Sequence, residues 1–141
     1  DTLWGNEGAD EMFGNSGGDL LYGGTGNDNQ RGGDGNDTLY GGQGLDTLNG
    51  GEGDDWLRGG TLADTFVFAA GADQIDDFNT TVDALLLDAA LWIGAKTAAE
   101  ILAEFGGTQG SDYVLDFGGG NSLTFNGGID TAQLEDDIGF L

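Results

Sequence analysis

An aspartate recurs every nine residues along the first half of this 141-residue chain. From Gly5 to Gly60 nearly every one ends a six-residue frame, G-G/N-x-G-x-D, and an apolar residue usually follows two positions after the aspartate. Only Gln30 breaks that apolar column. A strict period of this length predicts a solenoid, because one unit is too short to bury a hydrophobic face alone. The recurring residues are Asp1, Asp10, Asp19, Asp28, Asp37, Asp46, Asp55, Asp64 and Asp73.

The three residues after each aspartate predict a short strand with its apolar side chain on one face, as in Thr38-Leu39-Tyr40. Strands this short need neighbours, so we expect turn, strand, turn, strand, with two units per coil. Two thin sheets would then enclose a ladder of leucines, and residues 18 apart would stack on the same sheet. A disordered glycine-rich linker is the alternative, but disorder does not require an apolar residue at a fixed offset from aspartate.

Composition excludes several classes of partner and chemistry. Asp and Glu number 26 against three Lys and Arg, for a formal net charge of −23, so nucleic acid and anionic membranes would be repelled. There is no cysteine for a disulfide, and no histidine to act as a general base. No apolar run approaches the length of a transmembrane helix.

The frame itself predicts a cation site. Glycines at fixed offsets permit positive φ angles, so that a tight turn can aim successive carbonyl oxygens at one point. The aspartate adds a charged oxygen beside them. Ca²⁺ takes six to eight oxygen ligands at about 2.3–2.6 Å and tolerates irregular geometry better than Mg²⁺ does. Calcium is therefore the expected ion.

These frames resemble the nonapeptide of the repeats-in-toxin (RTX) family, over Asp1 to about Asp76. The resemblance implies an all-β fold, a right-handed parallel β-roll with two nonapeptides per coil, followed by a small mixed α/β C-terminal cap. It also implies that each Ca²⁺ lies between the turns of units two apart, giving at most about seven ions. Seven ions would change the formal charge from −23 to −9, since each carries two positive charges. We expect the calcium-free chain to be unfolded.

The resemblance also implies a ligand set for each ion. One turn supplies the carbonyls of its first and third residues, the next those of its second and fourth, and both supply the aspartate. One site would combine Gly23, Thr25 and Asp28 with Gly42, Gly44 and Asp46. Another would combine Gly32, Asp34 and Asp37 with Gly51, Gly53 and Asp55. The other implied ligands are Asp1, Asp10, Asp19, Asp64, Asp73, Gly5, Glu7, Gly14, Asn15, Ser16, Gly17, Gly24, Gly26, Gly33, Gly35, Gly41, Gln43, Gly50, Glu52, Gly60, Leu62, Ala69, Gly71 and Asp77.

Two departures from the pattern predict weak points in the roll. Leu62 replaces the third glycine of its frame, and would still present its carbonyl if the turn survives. Gln30 in the apolar column predicts a weak or hydrated layer.

The chain divides by pattern into a calcium-binding roll over residues 1–76 and a capping and secretion-signal segment over residues 77–141. Residues 73–87 resemble the D-x-I-x-D-F … D-x-L-x-L segment that closes many such rolls. Asp77 and Asp83 would either complete a last calcium site or be solvated carboxylates at strand ends. The acidic residues and short apolar tail at 136–141 resemble the C-terminus of type I secretion substrates.

Local signals predict the elements of the cap. Thr97 and Glu100 have the spacing of a capping box, which predicts a helix over residues 98–105. Glycines at 118–120 separate two alternating segments, 113–117 and 122–125, which predicts a hairpin. A helical turn is expected to start at Asp130. Such a segment would cover the exposed core and strand edges at the end of a solenoid.

One outer face is expected to be much more aromatic than the other. Stacking at 18 residues places Trp4, Tyr22 and Tyr40 in one row. Contiguous apolar surface often marks an interface, so this row predicts docking of an upstream domain of the same polypeptide, of the cap or of another copy. Simple packing within the sheet is the alternative.

We therefore predict a non-catalytic module for calcium-dependent folding and type I secretion, belonging to a larger extracellular Gram-negative protein. Its expected partners are calcium, the upstream domain and the secretion apparatus. The alternative is an adhesive solenoid that binds carbohydrate, ice or a partner, although the turn residues are too varied for a regular ice-binding face. Catalysis is not expected in this segment, because Ser16, Ser111 and Ser122 have no histidine to activate them.

Overall fold

The nonapeptides form the strands of a two-sheet solenoid. A computed structural model describes residues 1–91, 94–127 and 129–141. Each strand is six residues long in the first seven units, whereas the sequence predicted three. The extra residues are the two glycines and the third turn residue, which pair with their equivalents in the next coil, as Gly24 does with Gly42. The φ of Gly42 is 114°, which glycine adopts at no steric cost. The strands are β1 (Thr2–Glu7), β2 (Glu11–Ser16), β3 (Leu20–Thr25), β4 (Asn29–Asp34), β5 (Thr38–Gln43), β6 (Thr47–Glu52) and β7 (Trp56–Thr61).

Alternate strands join the same sheet, so each coil contains two units as predicted. One sheet contains β1, β3, β5 and β7, and the other contains β2, β4 and β6. All these neighbours are parallel, and their register places residues 18 apart side by side, as for Trp4 and Tyr22. Three shorter strands continue the two sheets, namely β8 (Thr65–Phe68), β9 (Ala72–Ile75) and β10 (Ala84–Leu87).

The core lies between the sheets and consists of the apolar column. Leu21, Leu39, Leu48 and Leu57 are all buried, as are the aromatic and aliphatic residues that follow them in β8 and β9. Gln30 occupies the same column and is also fully buried. One side chain per unit therefore fills the interior, and the stacking of coils supplies the burial that a single unit lacks.

The second half of the chain extends both sheets and adds two helices. The predicted helix and hairpin are confirmed, with Thr97 and Glu100 forming the capping box. The helical turn expected at Asp130 is a seven-residue helix with Asp130 as its N-cap. The elements are a short 3-10 turn (Ala89–Leu91), α1 (Ala98–Phe105), β11 (Gly106–Gln109), β12 (Asp112–Gly118), β13 (Asn121–Phe125), α2 (Thr131–Asp137) and β14 (Ile138–Phe140).

This C-terminal segment covers the last edges of the roll. Strand β13 pairs in parallel with β9, and β14 pairs in parallel with β10. The ring of Phe78 contacts the rings of both Phe66 and Phe125 across the junction. The segment therefore shares sheets and core with the repeats, while a boundary at residues 76 and 77 stays a prediction. Within the part of the chain that the structure describes, no helix is long and apolar enough to cross a membrane.

Candidate metal sites

The turns that connect the two sheets stack into two columns. We number each turn 1 to 6 from its first glycine to its aspartate. The first turn column contains the turns at residues 5–10, 23–28, 41–46 and 59–64. The second contains those at 14–19, 32–37, 50–55 and 68–73. Because strands two units apart are neighbours, each turn lies directly on the turn 18 residues before it.

One oxygen of most repeat carboxylates is held by the adjacent coil. Asp28 Oδ1 accepts a hydrogen bond from the backbone N–H of Asp10 at 2.9 Å, and Asp37 Oδ1 accepts one from Asp19 at 2.7 Å. The same bond recurs from Asp28 to Asp46, from Asp37 to Asp55, from Asp46 to Asp64 and from Asp55 to Asp73. The aspartate side chains therefore point inward and form two continuous columns of carboxylates.

The other oxygen of these carboxylates is buried and unpaired. Among the described residues, none hydrogen-bonds to the Oδ2 atoms of six successive repeat aspartates. A buried ionised carboxylate without a partner is strongly unfavourable, so each of these atoms needs a cation or a proton. The six are Asp10, Asp19, Asp28, Asp37, Asp46 and Asp55.

Carbonyl oxygens lie beside the carboxylates because the coils approach closely at the glycines. A Cβ atom on Gly24, Gly26 or Gly42 would collide with a carbonyl oxygen of the preceding coil. The carbonyl oxygens at position 3 also accept hydrogen bonds from backbone N–H groups of the preceding coil. For example, Gly26 N donates to the Gln43 carbonyl oxygen at 2.7 Å. Each carbonyl has two lone pairs, so one such bond leaves it able to contact a cation.

The donor set fits calcium. Among the described residues, no three acidic side chains form a cluster that would hold a metal by carboxylates alone. A site between two stacked turns must therefore combine carboxylates with backbone carbonyls. An all-oxygen, irregular set of this kind suits Ca²⁺ better than a transition metal or Mg²⁺.

Burial raises the pKa of the carboxylates toward the C-terminal end of the columns. The pKa rises to about 6 for Asp55, about 7 for Asp64 and about 8 for Asp73. Desolvation is the largest cause in all three; the hydrogen bond from the adjacent backbone lowers the value, and neighbouring carboxylates raise it again. Asp37 and Asp46 shift upward for the same main reason. The ionised form of these carboxyl groups is therefore disfavoured unless a cation lies beside them.

Several of the remaining predicted ligands differ from the interior pattern. Asp1 and Glu7 are exposed at the first coil, and the amino group of Asp1 contacts Asp19 Oδ1. Ala69 and Gly71 lie in the turn at 68–73, where a Cβ on Gly71 would collide with the carbonyl of Gly53. The structure therefore stacks this turn on its predecessor although its leading glycines are lost.

The turn containing Leu62 survives with a distortion. Leu62 has a φ of 81°, and its side chain is exposed. The hydrogen bond from Gly44 N to the Thr61 carbonyl is 3.3 Å long there, compared with 2.7 Å for the bond from Gly26 to Gln43. A side chain at position 4 thus loosens the contact between these two turns.

Asp77 lies at the end of the first turn column, and its carboxylate is fully paired. Its Oδ1 accepts from Gly59 N and its Oδ2 from Gly60 N, both at 2.9 Å. The Arg58 Nε atom lies 3.5 Å from Oδ2. The side chain thus satisfies the N–H groups of the last turn of the column.

Asp83 continues the first turn column at a spacing of 19 residues instead of 18. Its Oδ1 accepts from Asp64 N at 2.9 Å and its Oδ2 from Asn79 N at 2.8 Å. The side chain is almost fully buried. Of the two readings left open by the sequence, a solvated carboxylate does not describe this residue, whose two oxygens have partners within the protein.

A second ladder at position 5 was missed by the sequence analysis. Asn27 Oδ1 accepts from Leu45 N, Asn36 Oδ1 from Asp54 N, and Asp54 Oδ1 from Ala72 N, at 3.0–3.2 Å. The only signal in the sequence is an Asn or Asp at position 5 of several frames. These side chains join turns that are stacked in the same column, 18 residues apart, on the solvent side of the aspartate columns.

The predicted aromatic row is present on the outer face of the first sheet. Trp4 stacks on Tyr22 with ring centroids 4.1 Å apart, and Tyr22 stacks on Tyr40 at 4.9 Å. Trp56 follows with a tilted ring. Trp4 remains 63% exposed at the free end of this aromatic row.

Comparison with known proteins points in the same direction. A family model described as the RTX calcium-binding nonapeptide repeat, in four copies, matches residues 1–29, 31–66 and 40–75, which together are a little over half of the chain. Among curated protein sequences, none gives a significant match.

Several solved structures resemble the fold, including one from an epimerase and one from a lipase. The solution structure of the AlgE6R3 subunit from the Azotobacter vinelandii mannuronan C5-epimerase aligns with a TM-score of 0.58 and 27% identity, over 93% of this chain and 78% of that one. The crystal structure of the extracellular lipase LipA from Serratia marcescens aligns with a TM-score of 0.51 and 18% identity. That alignment covers 98% of this chain but only 38% of the lipase, and it supports the fold alone.

Proposed function

Because the chain belongs to the family of RTX calcium-binding nonapeptide repeats, we propose that it is a non-catalytic module whose folding depends on calcium and which serves the type I secretion of a larger extracellular protein. The observation that carries this proposal is the set of six buried Oδ2 atoms without a partner in the described chain. Bound calcium supplies positive charge and a coordination centre at each of these points. The ion is thus structural rather than catalytic.

The proposed ligands are the aspartates and turn carbonyls at each contact between stacked turns. Between the turns at 23–28 and 41–46, the carboxylates of Asp28 and Asp46 supply charge, and the carbonyls of Gly23, Thr25, Gly42 and Gly44 complete the set. The bond from Asp28 N to Asp46 Oδ1 at 2.8 Å orients one of these carboxylates in the folded roll. Each interior aspartate then faces two neighbouring ions, one on each side.

Charge repulsion explains why the fold would need the ion. The two aspartate columns place carboxylates directly above one another, in a chain with a formal net charge of −23. Repulsion and desolvation both oppose folding unless cations enter the columns. Ligands that bind only the folded state stabilise it by mass action, by about 2.7 kcal/mol for each site at a hundredfold excess over its dissociation constant.

This dependence suits export. A chain that stays unfolded where calcium is scarce would pass through a narrow secretion channel, and it would fold outside, where calcium is abundant. We propose that residues 77–141 cap the roll. We also propose that the C-terminus at 136–141, with its acidic residues and short apolar tail, carries the export signal. Any catalytic activity would then belong to another part of the parent protein, and that part would determine the substrate.

Circular dichroism tests the calcium dependence. In millimolar Ca²⁺ we expect a strong strand signal, and in excess chelator we expect the signal of a disordered chain. Mg²⁺ at equal concentration serves as the matched control and should not restore the strands, because it demands a tighter octahedral geometry. A strand signal that persists in chelator would refute the proposal.

A second candidate function is self-association through the aromatic row. The exposed ring of Trp4 at its free end favours this function, because a ring from a second copy could stack on it and bury its apolar surface. Replacing Tyr22 and Tyr40 by Ser should then abolish any concentration-dependent dimer seen by sedimentation of the calcium-loaded protein. Identical sedimentation of the two proteins as monomers would exclude it.

A further inference from the structure

Gln30 is a buried amide in a column that is otherwise apolar. It lies in β4, in register with Met12 on one side and Leu48 on the other, and no part of it is exposed. Its Nε2 donates to the carbonyl of Tyr40 at 2.7 Å. Its Oε1 has no partner among the described residues. A buried amide that is only half satisfied is costly, so its presence calls for a reason.

The bond from Gln30 crosses the core to the opposite sheet. Tyr40 belongs to β5 in the opposite sheet and directly precedes Gly41, the first residue of the turn at 41–46. No apolar residue of the column can make such a bond. Gln30 therefore ties the interior of one coil to the start of the turn in the next.

The same amide also lies against the turn at 23–28. The atoms nearest to a Cβ placed on Gly23 are Asp28 Oδ2, the Gly41 carbonyl oxygen and Gln30 Nε2. At the other first-position glycines of the repeats, the nearest atoms come only from the aspartate of the turn and the carbonyl of the next coil. The carboxylate oxygen of Asp28 without a hydrogen-bond partner thus has an amide nitrogen in its surroundings that its equivalents lack.

We propose that Gln30 is a positioning residue that makes the calcium site between the turns at 23–28 and 41–46 the weakest of the roll. The inference rests on the proposed function, since it assigns a difference among the proposed sites. The positive end of the amide dipole stabilises the Asp28 carboxylate before an ion arrives. The unpaired Oε1 atom weakens the same layer after it has arrived.

Calcium release kinetics test this assignment. The calcium-loaded protein is mixed rapidly with an excess of a fluorescent chelator, and the ions released per chain are counted in each phase. In the wild type we expect one ion to leave roughly fivefold or more faster than the rest, which corresponds to the loss of one buried polar contact. In Gln30→Met this fast phase should disappear, because Met has a similar length, lacks the amide, and already fills the equivalent position at Met12.

A matched comparison separates positioning from general stability. Gln30→Leu should also lose the fast phase, while a change at an exposed position, Asn29→Ser, should keep it. A purely structural role would alter the melting temperature of Gln30→Met but leave the ratio of fast to slow ions unchanged, and that result would overturn the proposal. If Gln30→Met does not fold in calcium, Gln30→Leu decides, and failure of both to fold would also overturn it. Wild-type protein that releases no calcium would instead refute the proposed function.

Discussion

The interior turns and the C-terminal end of the roll use the same residue type in opposite ways. In the interior, one oxygen of Asp28, Asp37 or Asp46 is held by the backbone and the other is buried without a partner in the described chain. At the end, both oxygens of Asp77 and both of Asp83 accept backbone N–H groups. The first arrangement leaves a buried oxygen that needs a cation or a proton, whereas in the second the protein's own N–H groups contact both oxygens.

This difference teaches how a repetitive structure can be brought to an end. A further glycine frame would expose another open turn and add one more carboxylate to one of the two columns. Asp77 instead satisfies the N–H groups of Gly59 and Gly60, and Asp83 closes the first turn column with help from Asn79. The hydrogen bonds between backbone N–H groups and carboxylates thus continue to the end of the column, and no further unpaired carboxylate oxygen is added by Asp77 or Asp83.

The largest effect is expected from a change inside a column. In Asp37→Asn the amide oxygen can still accept from Asp19 N, but an NH₂ group replaces the unpaired oxygen that would face two ions. We expect the calcium concentration at the folding midpoint to rise at least about tenfold, or about 1.4 kcal/mol. Calcium titration followed by circular dichroism measures it. Asp34→Asn removes the same charge at an exposed turn position and is the control; equal shifts would contradict the account.

An effect of a different kind, on the free energy of unfolding rather than on calcium binding, is expected at the C-terminal end. Asp77→Asn leaves one of the two N–H groups of Gly59 and Gly60 without its acceptor, which should cost about 1–2 kcal/mol in the free energy of unfolding. The number of bound ions should not change. Urea unfolding in saturating calcium measures the first quantity and equilibrium dialysis the second, with Glu135→Gln as the control for charge. The loss of a bound ion would show that Asp77 belongs to a metal site.

The stability of the folded state should depend on pH with opposite signs in the presence and absence of calcium. Burial raises the pKa of Asp55 to about 6, of Asp64 to about 7 and of Asp73 to about 8, well above the ordinary range of an aspartate. Without calcium, ionisation of these groups penalises the folded state; the penalty is full above pH 8 and disappears as the pH falls toward 4. Calcium needs the ionised form, so its affinity should fall between pH 8 and pH 6.

Calcium titrations at pH 8 and pH 6, at equal ionic strength, measure this effect. The folding midpoint should require several-fold more calcium at pH 6, and the calcium-free chain should be no less compact at pH 6 than at pH 8. An unchanged midpoint would mean that these three aspartates stay ionised over the whole range and do not compete with protons.

The smallest effect is expected at Leu62. A non-glycine residue at a φ of 81° carries strain of about 1–3 kcal/mol, and the adjacent turn contact is stretched to 3.3 Å. Leu62→Gly should therefore raise the free energy of unfolding in calcium by about 1 kcal/mol, after the entropy cost of glycine. Leu45→Gly is the control, because Leu45 is also exposed on a turn but does not have a positive φ. Equal changes in urea unfolding would argue against strain at Leu62.

The sequence predicts most of this fold because a single period sets the register. A spacing of 18 residues is enough to place Trp4 beside Tyr22, and the capping box of Thr97 and Glu100 predicts α1. Beyond the end of the period, local signals still predict α1 and the hairpin of β12 and β13, but they do not predict which side chains meet. Asp83 lies 19 residues after Asp64, and its role depends on an N–H group that only the folded loop brings near it.

The candidate sites are predictable to a similar extent. The nine-residue period identifies the aspartates, but it does not show which of their oxygens already accepts a hydrogen bond from the backbone. The role of Asn36 at position 5 depends on the exact distance between stacked turns, and the contact of Gln30 with Tyr40 depends on a path across the core. These are tertiary contacts, and no local pattern encodes them.

The central claim is that the unpaired carboxylates of the interior turns make the roll dependent on calcium. Hydrogen exchange resolved by residue tests it directly, through the amide N–H groups of Asp28, Asp37 and Asp46, which bond to the carboxylates of the next coil. We predict strong protection of these three amides in millimolar calcium and exchange at the rate of an unfolded chain in excess chelator, with protection restored by calcium but not by magnesium. Persistent protection of these amides in chelator would contradict the account.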